Sequence, residues 1–343
     1  MLKHLAIALT SVLGIATALA EAQTPTPWRD PSPHRVTSVT VADGVDLEVL
    51  DWGGSGRDVV LLAGSGNSAH VFDDLAPKLV GCCHVYGVTR RGHGSSSRPP
   101  SGYDEQQMAN DLLRVLATLK VERPVLIGHS AAGGEMTTLA REHSDRLGGL
   151  VYMDAIADLE DDPPADAEWL ALQQKLPPGV NTPPSCGRVD RSTFEAFQTT
   201  FGCRLGFVLP VAELRQIFED DGGRVGAARM PEWVSRAMGQ GQAFRKNYSN
   251  IKVPVLALLQ FASTTEAFLA AQKYQPKDDS EREAIDRFIA RTRIVLGRWT
   301  SKLTGQVPNA RVVNLGPVGH YLFITRESEV LQHVLPFLAE RPR

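Results

Sequence analysis

A serine flanked by small residues separates two contrasting segments of the chain. Gly128-His129-Ser130-Ala131-Ala132-Gly133 follows the apolar run 124–127 and precedes the helix-like run 135–143. Where a strand turns directly into a helix, small neighbours let the turn pack closely, and the serine hydroxyl is exposed at the helix N-terminus. The same pattern also fits a serine that only caps a helix. The spacing makes Ser130 a candidate nucleophile for acyl transfer.

A serine nucleophile needs a base within hydrogen-bond reach, and that base needs an acid that orients it. Of the nine histidines, His320 is the candidate base, because it follows a predicted strand and lies in a Gly/Pro-rich loop. Two residues are candidates for the acid. Asp154 ends a predicted strand 24 residues after Ser130, and Glu266 comes late after the next strand. We prefer Asp154, because the carboxyl ends of parallel strands gather ligands and catalytic groups, and keep Glu266 as the alternative.

Four motifs of the chain resemble motifs of the α/β-hydrolase superfamily, in the same order. They are the strand and oxyanion loop at 59–66, the strand and loop at 85–96, the turn at 128–133 and the late histidine loop at 315–321. The resemblance runs from about Thr37 to the end of the sequence. It implies a doubly wound, mostly parallel eight-stranded sheet with a helical cap inserted between the sixth and seventh strands.

The resemblance also implies an esterase or lactonase that works without a metal or an organic cofactor. Its oxyanion hole would use the backbone N–H groups of Ala131 and Ser65, with Gly66 as a second choice for the latter. Relatives usually carry His-Gly in that loop, whereas this chain has Ala63-Gly64. An acid after the sixth strand occurs in a smaller set of relatives, which includes lactonases that act on the macrocyclic lactone zearalenone. The resemblance does not choose among such substrates.

The order of apolar runs and helical patterns predicts an α/β fold. The domains we predict are a signal peptide at 1–20, a Pro-rich leader at 21–34, a first core part at 35–154, the cap at 155–250 and a second core part at 251–343. Eight strands are expected, at 36–41, 45–52, 58–63, 84–89, 125–128, 150–153, 253–259 and 311–315.

The predicted cap has no convincing strand. Helical patterns are expected around 167–175, 192–199, 211–218 and 231–238. Its aromatic residues either line a pocket or form the cap's own small core, and we favour the second interpretation for any one of them. They are Trp169, Phe194, Phe197, Phe201, Phe207 and Trp233.

The N-terminus has the pattern of a secretory signal peptide, with a short basic start, an apolar stretch at 5–19 and small residues for cleavage near Ala20 or Ala22. This predicts a secreted or periplasmic protein without a stable membrane anchor.

Four cysteines fit an oxidising compartment. A bridge between Cys186 and Cys203 is a candidate, but the sequence leaves all three pairings open. The sequence contains no C-x-x-C or H-x-x-x-H spacing, so a metal site is not expected.

The composition is that of an ordinary globular protein, with 343 residues and a formal net charge of −3, so nucleic acid is not an expected partner. We therefore predict a hydrolase for a small ester or lactone, of undetermined oligomeric state. A serine aminopeptidase or amidase and a non-catalytic ligand-binding protein on the same fold are alternatives. The glycine-rich loop at 64–69 also imitates a dinucleotide fingerprint, but a nicotinamide-dependent oxidoreductase would leave Ser130 and His320 unexplained.

Overall fold

The computed structural model describes residues 28–159, 162–178, 180, 186–241 and 246–340. The chain divides into two compact units, residues 1–31, of which only 28–31 are described, and residues 32–343. The predicted signal peptide at 1–20 and the first half of the predicted leader lie outside the described residues. Within the described ranges, no helix combines the length and the hydropathy that a bilayer crossing requires.

The larger unit is built on an eight-stranded sheet. Its strands are β1 (Arg35–Ala42), β2 (Val45–Gly53), β3 (Arg57–Leu62), β4 (Cys83–Val88), β5 (Val125–His129), β6 (Gly149–Met153), β9 (Val255–Leu259) and β10 (Arg311–Asn314). They lie in the order β1-β2-β4-β3-β5-β6-β9-β10. Both pairs that involve β2 are antiparallel, and the other pairs are parallel. The predicted α/β-hydrolase sheet is confirmed, and each strand lies within two residues of its predicted bounds.

The central strands are buried on both faces. Every residue of β5, β6 and β9 is buried. This burial explains why these strands appear in the sequence as continuous apolar runs rather than as alternating patterns.

Helices cover both faces of the sheet. The helices are α1 (Glu105–Leu119), α2 (Ala132–Glu142), α3 (Pro163–Gln174), α4 (Phe194–Leu205), α5 (Val211–Ile217), α6 (Glu232–Gly241), α7 (Thr265–Gln272), α8 (Asp279–Gln306), α9 (Leu322–Thr325) and α10 (Glu327–Ala339). One hydrophobic cluster joins α1, α2 and α8 to the sheet, and a second joins α9 and α10 to the opposite face.

Residues 155–250, which we call the insertion, lie between β6 and β9 and carry the helices α3 to α6. The expectation that this segment has no strand is wrong. Strands β7 (Phe218–Asp221) and β8 (Arg224–Ala228) form an antiparallel hairpin. Gly222 and Gly223 both have positive φ at its turn, as a two-residue type I′ turn requires. The sequence did not predict these two strands, because they are short and mostly exposed and therefore lack an apolar pattern.

A disulfide joins Cys186 to Cys203 of α4, which is the candidate bridge of the sequence. It ties the chain that precedes α4 to the last turns of that helix. The other two cysteines are free, with Cys82 exposed and Cys83 buried.

Candidate active site

Ser130 lies at the sharp turn between β5 and α2, with a backbone φ of 54°. Left-handed backbone is costly for a residue with a side chain, so the surrounding turn must hold it there. Its N–H donates to the carbonyl oxygen of Met153 on the neighbouring strand across 3.1 Å. Gly133 makes the turn possible, because a Cβ there would lie 1.9 Å from the carbonyl oxygen of Ala155. The small residues of the motif therefore serve close packing, and the hydroxyl of Ser130 is left at the cavity wall.

His320 lies in the loop after β10 and contacts both of its predicted partners. Its Nε2 is 2.8 Å from Oγ of Ser130, and its Nδ1 is 2.6 Å from Oδ2 of Asp154. In the neutral imidazole with the proton on Nδ1, the ring donates to the carboxylate and accepts from the hydroxyl. The three side chains thus form a continuous hydrogen-bonded chain from a carboxylate to a hydroxyl.

Asp154 directly follows β6 and also has left-handed backbone, with a φ of 49°. Its N–H donates to the carbonyl oxygen of Leu258 on β9 across 2.8 Å, which fixes the turn against the next strand. Its Oδ2 accepts a second hydrogen bond, from Nε2 of Gln260 across 3.1 Å. Sequence reasoning missed Gln260, although it follows β9 immediately, where most relatives of the predicted family have a turn that carries the acid.

Glu266, the alternative acid, lies in the first turn of α7 and is exposed. It forms an ion pair with Arg282 of α8. Among the described residues, no hydrogen bond joins Glu266 to His320. The carboxylate that contacts the imidazole belongs to Asp154.

Ser65 and Ala131, the two predicted oxyanion donors, line the same cavity as Ser130. In the described part of the chain, neither of their backbone N–H groups donates a hydrogen bond to another protein atom. The N–H of Gly66, the second choice, is occupied, because it donates to Nε2 of His93 across 3.0 Å. This leaves Ser65 and Ala131 as the available donors.

His93 holds the loop that carries Ser65. Its Nδ1–H donates to the carbonyl oxygen of Arg91, while Nε2 accepts from Gly66. Burial and, to a smaller extent, the charge of Arg90 together lower the pKa of His93 to about 3. The imidazole therefore stays neutral at ordinary pH and keeps one donor and one acceptor.

His129, the residue before the serine, supports the opposite loop. Its Nε2–H donates to the backbone carbonyl oxygen of His320 across 3.0 Å, and the two rings lie 4.5 Å apart. Burial, together with the nearby His320, lowers the pKa of His129 to about 3. A neutral ring at this position does not add a second positive charge beside His320 when that imidazole takes up a proton.

A cavity of about 620 Å³ opens beside the Ser130 hydroxyl. Of the six aromatic residues that the sequence offered, only Trp169 lines it. Phe194 and Phe197 are buried in a hydrophobic cluster with Phe201 and Phe207 packed against it, while Trp233 is exposed. The other aromatic walls come from β9 onward and were not predicted. They are Phe261, Phe268, Phe288 and Trp299.

The indole N–H groups of the two tryptophans are both satisfied by protein acceptors. Nε1–H of Trp169 donates to Oγ of Thr292, and Nε1–H of Trp299 donates to the carbonyl oxygen of Asp158. With their N–H groups already bonded, both indoles add apolar ring surface to the cavity wall. Among the described residues, no group of three or more potential metal ligands lines this cavity.

Comparisons with known proteins identify the family of the chain and structures that share its fold. Residues 59–327 match the family model of the alpha/beta hydrolase fold. The chain is 38% identical over 121 residues to a putative carbamate hydrolase, RutD, of Caulobacter segnis, and this match covers 34% of the chain and 45% of that relative. The chain therefore spans about half the length of the curated relatives it matches.

Two solved structures share the fold over almost the whole chain. A crystal structure of E-2-(acetamidomethylene)succinate hydrolase has a TM-score of 0.61 at 17% identity and covers 89% of this chain and 99% of that one. Est816, described as an N-acyl homoserine lactone degrading enzyme, has a TM-score of 0.54 at 20% identity, with 88% and 100% covered. At these identities the likeness concerns the fold alone.

Proposed function

The chain belongs to the alpha/beta hydrolase fold family, and we propose that it is a serine hydrolase that cleaves a carboxylic ester or a lactone through an acyl-enzyme. The observation that carries the proposal is the chain of two short hydrogen bonds, 2.8 Å from Ser130 to His320 and 2.6 Å from His320 to Asp154. A base that contacts a serine hydroxyl and is oriented by a third group is the arrangement that nucleophilic catalysis needs.

In the first half of the reaction, Oγ of Ser130 attacks the ester carbonyl while Nε2 of His320 takes the hydroxyl proton. Asp154 holds the imidazole in its Nδ1–H form and stabilises the imidazolium that results. The backbone N–H groups of Ser65 and Ala131 donate to the developing oxyanion. Loss of one such donor typically costs about 10²- to 10³-fold in kcat.

The tetrahedral intermediate then collapses, and the leaving alkoxide takes the proton from His320. In a lactone this alkoxide stays attached to the acyl group, so ring opening leaves a hydroxyacyl-enzyme. In the second half, His320 removes a proton from water, the hydroxide attacks the acyl carbon, and the proton returns to Ser130. No step needs a metal or an organic cofactor.

The cavity suggests the kind of substrate. A volume of about 620 Å³ lies within the range of small-molecule sites, roughly 300 to 1,000 Å³. The aromatic walls from Trp169, Phe268 and Trp299 favour an apolar acyl or lactone group larger than acetate. Lactones stay among the candidates beside simple esters, because the shared fold carries both a described lactone-degrading enzyme and described esterases.

Covalent labelling and a substrate panel test the proposal. A fluorophosphonate should modify Ser130 in the native protein and leave the Ser130→Ala variant unmodified. p-Nitrophenyl esters of rising acyl length, several lactones and matched p-nitroanilides should then be compared. We expect hydrolysis of esters or lactones that disappears in Ser130→Ala. Absence of labelling would support a non-catalytic binding protein, and faster cleavage of anilides would support an amidase.

We also propose that the protein is exported. Support comes from the basic start, the apolar stretch and the small residues of positions 1–22, and from the disulfide between Cys186 and Cys203. Expression of the full chain in a bacterial host, followed by N-terminal sequencing of the exported protein, tests this. A mature N-terminus just after Ala20 or Ala22 is expected, and an intact Met1 in the cytosolic fraction contradicts it.

A further inference from the structure

A fully buried glutamate of the insertion contacts the loop that carries an oxyanion donor. Glu213 lies on α5 and has no exposed surface. Its Oε1 accepts from Nδ2 of Asn67 across 2.8 Å and from the backbone N–H of Ser68 across 3.1 Å. The hydroxyl of Ser68 donates to its Oε2. A buried carboxylate is costly unless donors surround it, and here every donor comes from one short loop.

The same loop continues to the histidine. The N–H of Asn67 donates to the carbonyl oxygen of Gly64 and closes the turn that presents Ser65. The side-chain Oδ1 of Asn67 accepts from the hydroxyl of Tyr321 across 2.8 Å. Tyr321 directly follows His320 in the chain. One hydrogen-bonded path therefore runs from the insertion, through the turn of Ser65, to the loop of the imidazole.

An amide fits this site less well than a carboxylate does. Both carboxylate oxygens accept hydrogen bonds, and charged acceptors make the stronger ones. Burial raises the pKa of Glu213 to about 7, so the charged form prevails above that pH. In glutamine the charge is lost, and one oxygen becomes an NH₂ group for which only the hydroxyl of Ser68 can serve as acceptor.

We propose that Glu213 is a positioning residue, which fixes the turn of Ser65 and the loop of His320 and so makes catalysis depend on the docked insertion. The inference rests on the proposed function, because it assumes that Ser65 and His320 act on the ester. Glu213 itself touches neither the cavity nor the nucleophile and acts through Asn67.

The test compares Glu213→Gln with Leu214→Val in the full chain. Leu214 is a buried neighbour on the same helix, and its substitution leaves the partners of the carboxylate in place. Hydrogen exchange is measured over residues 64–68 and over residues 321–325, where two amides donate to the carbonyl oxygen of Tyr321. kcat and KM are measured with a p-nitrophenyl ester above pH 7, where Glu213 is ionised. For Glu213→Gln we expect faster exchange in both segments. We also expect a loss of at least about tenfold in kcat with little change in KM, smaller than the 10²- to 10³-fold cost of a missing donor.

Further measurements separate positioning from general stability. Binding of an alkyl boronic acid, which places an oxygen in the oxyanion site, should weaken in parallel with kcat in Glu213→Gln but not in Leu214→Val. The kcat losses of Glu213→Gln and Asn67→Ala should be less than additive when combined.

The outcomes distinguish this inference from the proposed function. Unchanged exchange in Glu213→Gln overturns the inference whatever the activity is. Faster exchange with unchanged kcat in an active protein also overturns it. Faster exchange in a protein whose Ser130 hydrolyses nothing supports the structural link and contradicts the proposed function instead.

Discussion

Gln260 donates its side-chain amide to Oδ2 of Asp154 across 3.1 Å, and this is the oxygen that also accepts from His320. The two residues follow β9 and β6, which are adjacent parallel strands. Each strand end thus contributes one side chain. Asp154 contacts the imidazole, and Gln260 contacts Asp154. The position where most relatives of this fold carry the acid is occupied here by an amide that contacts Asp154, the acid that we propose, on the neighbouring strand.

Replacement of Gln260 should therefore lower turnover without removal of any reacting group. Gln260→Leu loses the donor to Asp154, and we expect kcat to fall about tenfold, which corresponds to about 1.4 kcal/mol. Gln260→Glu puts a second carboxylate beside the first, and like charges at this distance make one of them bind a proton more tightly. Its loss should be larger than that of Gln260→Leu and should change the acid limb of the pH–rate profile. Equal kcat values in Gln260→Leu and the native protein would contradict this role.

The two acid candidates can be separated by the same chemical change at each. Asp154→Asn keeps the size of the side chain but favours the wrong imidazole tautomer, so kcat should fall by about 10⁴-fold. Glu266→Gln is the matched control. Its carboxylate is exposed and pairs with Arg282, so we expect kcat to stay within about twofold. Steady-state kinetics of both variants with one p-nitrophenyl ester decide the matter, and near-native turnover of Asp154→Asn would assign the acid elsewhere.

The sheet and the positions of the motifs could be predicted because both depend on local sequence. Buried parallel strands are continuous apolar runs, and turns such as the one at Ser130 need small residues at fixed places. The strand ends then bring Ser130, Asp154 and the loop of His320 to one edge of the sheet, as parallel topology requires.

The walls of the cavity could not be predicted because they depend on which face of a helix meets the site. Phe288 and Trp299 lie on α8, and their periodicity indicates only that they are buried. Nothing in the sequence distinguishes them from Phe194, which is also buried but does not line the cavity. The contacts of Glu213 could not be predicted for the same reason. Nothing about a single glutamate on a short helix indicates that a loop 145 residues earlier supplies its hydrogen-bond donors.

The bridge between Cys186 and Cys203 should contribute to the stability of the insertion. It closes a segment of 17 residues, for which the chain-entropy treatment gives about 3 kcal/mol. The double variant Cys186→Ser/Cys203→Ser should lose about this much in urea unfolding followed by far-UV circular dichroism. Native protein treated with a thiol reductant is the matched control and should show the same loss. A stable double variant, or a reductant effect that persists in it, contradicts the prediction.

Glu135 of α2 gives stability a dependence on pH. Burial raises the pKa of Glu135 to about 7, against the opposing charge of Arg90. A raised pKa in the fold means that the native state binds the proton more tightly than the unfolded chain. This contribution to stability is complete below about pH 4.5 and is lost as the pH rises through 7.

Glu135→Gln keeps an oxygen for Arg90 and has no proton to lose. Relative to the native protein, its unfolding free energy should therefore rise by about 2 to 3 kcal/mol between pH 5 and pH 8.5 in urea titrations. A difference that stays constant over this range would show that Glu135 does not titrate in the fold.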